Sequence, residues 1–163
     1  MHQRADLAER SFERLAEARG DITAEVIERY YASCPDARGS FAHHGLDNIP
    51  ELEGRMVSET AYMLMHWAAD PTTVRIEQGT TICHHQDTLE VGPHWYMGLI
   101  DAVLAVLFET IPDSEQRERE IWREIREEIA SFIDSVRPEF WRQENEGPLP
   151  PFPLAKPDLA QQR

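Results

Sequence analysis

Residues 84–107 read HHQDTLEVGPHWYMGLIDAVLAVL, and the rest of the chain is best understood outward from them. Two adjacent histidines come first, then a Gly92-Pro93 break, then a run in which Asp101 is the one charged side chain. Proline at the first helical position loses no hydrogen bond, so Gly92-Pro93 opens a long, very apolar helix reaching about Ile111. Its apolar stretch, Tyr96 to Phe108, is interrupted by Asp101 and is too short to cross a bilayer. Such a helix belongs in the core of a globular protein.

The same punctuation organises the remainder. Upstream, a first helix runs from about Ala5 to Arg19, with Leu7, Phe12, Leu15 and Ala16 on one stripe, and Gly20 stops it. Asp21 caps a second helix carrying Val26, Ile27, Tyr30 and Tyr31, which ends near Pro35. The segment SFAHHGLDNI, residues 40–49, reads as a loop in which Phe41 stands alone before His43 and His44. Pro50 starts a third helix, where Leu52, Met56, Met63, Leu64 and Trp67 recur at helical spacing until Asp70-Pro71. Residues 73–86 form a shorter, more polar helix. Downstream, Asp113 with Gln116 reads as a capping box for the last helix. That helix carries a seam of Ile121, Trp122, Ile125, Ile129, Phe132, Ile133 and Val136. Its acids alternate with arginines between Asp113 and Glu128, the pattern of a solvated face. Five prolines fall within residues 148–157. The chain therefore divides into a domain, residues 1–146, and a Pro-rich C-terminal tail or linker, residues 147–163. Six or seven helices with nothing strand-like make the fold class all-α and exclude a sheet-based enzyme.

Composition narrows the function. The 163 residues carry 16 Lys+Arg against 30 Asp+Glu, a formal charge of −14. So acidic a surface repels phosphate backbones and anionic lipid, which argues against nucleic-acid and membrane partners. The two cysteines, Cys34 and Cys83, have neither zinc-ligand nor disulfide-scaffold spacing. No signal peptide opens the chain, so a cytoplasmic location is the expectation.

Among seven histidines, at positions 2, 43, 44, 66, 84, 85 and 94, no pair has the helical spacing of a zinc protease or di-iron motif. A nucleophile elbow and a phosphate loop are also missing, and no catalytic residue is assigned. What remains is a histidine near the end of a short helix, followed by a turn and a long apolar helix. That order suits axial ligation of a haem, which needs one imidazole donor and a flat apolar slot. On spacing alone, a histidine at a helix end is more often solvated.

The segment 84–107 resembles the proximal-histidine region of globin-coupled sensors and protoglobins. That pattern is a His, a short turn containing Pro, then Trp-Tyr and a long apolar helix. Here it is met by His85, Pro93, Trp95-Tyr96 and residues 97–107. AEVIERYYASCPDARGSF, residues 24–41, is similar to a globin second helix running into the Phe that packs on the haem. Residues 50–68 then take the place of the distal helix, and the resemblance spans roughly residues 5–140. It implies a globin fold holding haem b, with His85 as the iron ligand in preference to His84, whose spacing to Trp95 is further from the family's. It also implies a cofactor pocket of Tyr30, Phe41, Leu52, Met56, Val91 and Tyr96. The family's distal Tyr falls near Ile27, with Tyr30 a turn later. A distal side of Ile27, Leu52 and Met56 is apolar, so a hydrogen bond to bound gas must come from Tyr30 or Thr60. His43 or His44 is a minor candidate for a sixth ligand.

The function so implied is a sensor, not an enzyme. A diatomic gas (O2 first, then CO and NO) binds trans to His85, and the last two helices carry the signal to an output domain or partner protein. The resemblance further implies a homodimer through those helices. Trp122, Ile125 and Ile129 with Val103 and Leu107 read as more apolar surface than one monomer needs. Two alternatives stay open: a haem-free globin-fold regulator, and a small globin with NO dioxygenase or peroxidase chemistry fed by an outside reductase.

Overall fold

Proline and glycine stand where the backbone turns. Pro50, Pro71 and Pro93 each fall in the first turn of a helix, where the missing N–H has no partner to lose. Gly20 leaves the first helix in the left-handed region at φ 65°, the exit that glycine takes without strain. The structure is a computed structural model and describes residues 2–136. Among the described residues there are seven helices and no strand. They are α1 His2–Arg19, α2 Thr23–Ser33, α3 Ala37–His44, α4 Ile49–Ala69, α5 Pro71–Thr88, α6 Pro93–Thr110 and α7 Gln116–Ser135. The Pro-rich tail of residues 147–163 lies outside the described residues. No described helix is long and apolar enough to cross a membrane.

Three local expectations change. Residues 40–49, read as a loop, contain most of α3. A lone Phe supplies no helical stripe, so the signal was absent locally. The helix is held instead by tertiary contact, with the Phe41 ring 5.9 Å from Tyr30 and 5.8 Å from Tyr31. The polar helix is longer than 73–86 because Asp70 accepts the Thr72 and Thr73 amides and starts it at Pro71. The Asp113–Gln116 capping box does not form. Gln116 Nε2 donates to the Asp113 carbonyl at 2.6 Å, and Glu115 stands at the cap.

The core is built around α4 and α6. Helix α6 packs against α1, α2, α4 and α7, and α4 against every helix. Met97, Ile100, Val103, Leu104, Val106 and Leu107 are buried along α6. Most of the α7 seam is spent in this same core, with Ile121, Trp122, Ile125, Ile129 and Ile133 buried within one chain and Phe132 and Val136 partly buried against it. The surplus of apolar surface inferred for Trp122, Ile125 and Ile129 and for Val103 and Leu107 is therefore absent. They offer no face to a second copy.

The charged face of α7 also departs from expectation. Glu118 and Arg126 are buried. Arg126 Nε and Nη2 donate to the two Asp101 oxygens at 3.0 and 2.9 Å, tying α7 to α6. Glu118 takes Ser11 and Arg14 from α1, and Trp122 Nε1 donates to Ser11 Oγ at 3.0 Å. Periodicity cannot separate a solvated arginine from one that meets a carboxylate 25 positions away.

Candidate functional site

Helices α2 to α6 line a half-open cavity of about 590 Å³, within the roughly 300–1,000 Å³ typical of small-molecule and cofactor sites. Its apolar walls include Phe41 from α3, Leu52, Met56 and Met63 from α4, and Trp95, Leu99 and Ile100 from α6. Leu89 and Val91 close it where α5 turns into α6. In that turn Glu90 adopts a left-handed φ of 54°, and the Val91 amide donates to the His85 carbonyl at 2.9 Å. The chain is thereby folded back so that Val91 reaches the cavity while Glu90 stays outside.

His85 lines this cavity, whereas His84 is exposed and does not. Adjacent residues on a helix point about 100° apart, so only one of them can face in. His85 Nδ1 lies 2.7 Å from the Thr81 carbonyl oxygen, one turn back on α5. A carbonyl only accepts, so Nδ1 must carry the hydrogen. In the neutral ring this leaves the lone pair on Nε2. An imidazole anchored through one nitrogen to a backbone carbonyl is the usual preparation of a metal-ligating histidine. Tyr96 meets the His85 ring edge-on, with centroids 5.3 Å apart at 89°. It limits how far that ring can rotate. Burial pushes the Tyr96 phenol well above its ordinary range.

On another wall stands Tyr30 of α2, almost fully buried. Burial is the main cause that raises its phenol, so the hydroxyl keeps its proton and is a donor. Thr60 also lines the cavity, but its Oγ1 donates to the Met56 carbonyl at 2.8 Å. Its single proton is already committed. His44, Arg55 and Glu59 are exposed residues at the cavity edge, and His43 points away while its ring packs on His44 at 4.8 Å.

All seven residues singled out from the sequence, Tyr30, Phe41, Leu52, Met56, His85, Val91 and Tyr96, line this one cavity. Ile27 does not. It is buried in the core beside α2's neighbours, a full turn before Tyr30, so its place in the distal wall is corrected. Sequence reasoning missed Gln78 and Thr81, which precede His85 by seven and four positions and share its face of α5. Their spacing was visible, but a search for apolar stripes passes over polar residues. Among the described residues no three His, Cys, Asp or Glu side chains group as a metal site. Compared with known proteins, the chain matches no family model, no curated protein and no solved structure.

Proposed function

We propose that the protein is a haem-binding gas sensor of globin type, with His85 as the proximal ligand. The observation that carries this reading is the His85 imidazole, bonded through Nδ1 to the Thr81 carbonyl and set in the wall of a largely apolar cavity of cofactor size. Haem b would supply an iron with an open coordination position for O2, CO or NO. The chain's residues supply the rest. Thr81 and Tyr96 orient the imidazole, and Phe41, Leu52, Met56, Met63 and Val91 would give a flat ring its apolar contacts. Tyr30, which also lines the cavity, would offer a protonated hydroxyl. The reading also assigns signalling to the last helices. Leu99 and Ile100 touch the cavity, and the next residue, Asp101, grips Arg126 of α7, which would give a change at the cavity a route to both helices. An output domain or partner protein would read that change. A second copy of the chain, if it joins, would not meet Ile121, Trp122, Ile125, Ile129 or Ile133, which are buried within one chain.

The test is the Soret band of the purified protein supplied with haem. His85→Ala is expected to abolish haem retention and His84→Ala to leave it, because only His85 faces the cavity. The reverse result moves the ligand by one residue. No band in the unsubstituted protein overturns the cofactor reading and leaves the haem-free regulator.

A further inference from the structure

Glycine in a helix interior weakens the helix, yet Gly98 sits within α6, one residue before the cavity-lining Leu99. A Cβ added there would lie 2.5 Å from Cys34 Sγ, 3.3 Å from Tyr30 Cε2 and 3.5 Å from Tyr30 Cδ2. Non-bonded carbons rest at about 3.5–4.0 Å, so a methyl group does not fit without movement. Helix α2 thus lies directly on the α6 backbone. Its cap residue Cys34 donates its amide to the Tyr30 carbonyl at 2.7 Å, and its sulfur reaches the His94 carbonyl region one turn before Gly98. The other sides of the Tyr30 ring are occupied, by Tyr31 at 5.5 Å and Phe41 at 5.9 Å. A side chain at position 98 presses first on Cys34 Sγ and next on the Tyr30 ring, which lines the cavity and can give way toward it.

We propose that Gly98 is the positioning residue that sets how far Tyr30 projects into the cavity, with Cys34 as the second side of that crossing. The inference rests on the gas-binding reading for its consequence, but its geometric part concerns the protein alone. Size at position 98 becomes a control on how well the Tyr30 hydroxyl reaches a bound ligand. A hydrogen bond weakens steeply once distance and angle leave their optimum, so a small displacement is enough.

The experiment compares Gly98→Ala with Gly54→Ala, a helical glycine with nothing near its added Cβ. In the haem-free protein, the Tyr30 ring resonances (assigned by their loss in Tyr30→Phe) are expected to shift in Gly98→Ala and not in Gly54→Ala. Replacing Cys34 by Ala in the Gly98→Ala background should move them part of the way back. In the haem-loaded ferrous protein, Gly98→Ala should speed oxygen loss by about two- to tenfold, as loss of one neutral hydrogen bond does. Added to Tyr30→Phe, it should change the rate no further, since both act through one group. Unshifted Tyr30 resonances, or an undiminished effect of Gly98→Ala in the Tyr30→Phe background, overturn the assignment. If the unsubstituted protein takes up no haem, the cofactor reading fails while the resonances still decide the role of Gly98.

Discussion

Removing the Arg126 guanidinium should strip Asp101 of the partner that makes its burial tolerable. Arg126→Met keeps the volume and the apolar stem but leaves a carboxylate with 18% of its side chain exposed beneath α7. Breaking one side of a buried pair costs about 3–5 kcal/mol, and the residual exposure of Asp101 places this case near the low end. For a chain of this size, about 3 kcal/mol lowers Tm by roughly 6–12 °C. The dependence on pH gives a sharper test. Burial already holds the Asp101 carboxyl above its usual range, against the pull of Arg126. A carboxyl with a raised folded pKa binds its proton more tightly in the native state. That favours folding below the unfolded pKa, and the advantage is lost as pH rises through the folded value. Without Arg126 the pKa rises further, so the deficit should be smallest at acid pH and grow as pH rises through the folded-state values. Asp101→Leu combined with Arg126→Met should recover most of the loss, because neither charge then needs water. Thermal unfolding followed by circular dichroism at pH 4 and pH 7 reads both effects. A deficit of equal size at the two pH values, or one below 2 °C at pH 7, would refute the reasoning.

Tyr30→Phe in the haem-loaded protein should raise the oxygen off-rate by up to about tenfold, the worth of one neutral hydrogen bond. Thr60→Val should leave it unchanged, since the Thr60 proton is spent on Met56; flash photolysis or stopped flow distinguishes them. Ile129→Ala should cost about 2–5 kcal/mol of stability by denaturant titration, because the side chain is 1% exposed in the monomer core. Were Ile129 an interface residue instead, that cost would depend on protein concentration.

Most helix breaks were legible because their causes are local. Gly20, Pro50, Pro71 and Pro93 act through their own backbone, and the α4, α6 and α7 stripes are set by neighbours three and four positions away. The cavity-lining residues were singled out through the family resemblance, and three of them are also close in sequence. His85, Val91 and Tyr96 lie within twelve positions, and two helical faces with one turn between them bring them together.

The sequence by itself therefore determined an all-helical chain, its breaks, and a histidine followed by an apolar helix. Tertiary structure decided what each surface was used for. It folded α3 by packing Phe41 on Tyr30 and Tyr31. It buried Arg126 and most of the α7 seam in one monomer, turned His85 rather than His84 inward, and laid α2 on Gly98. Helical periodicity is a short-range quantity that records which residues share a face. What that face meets depends on contacts between distant segments, such as Trp122 with Ser11 or Arg126 with Asp101, and those exist only once the chain has folded.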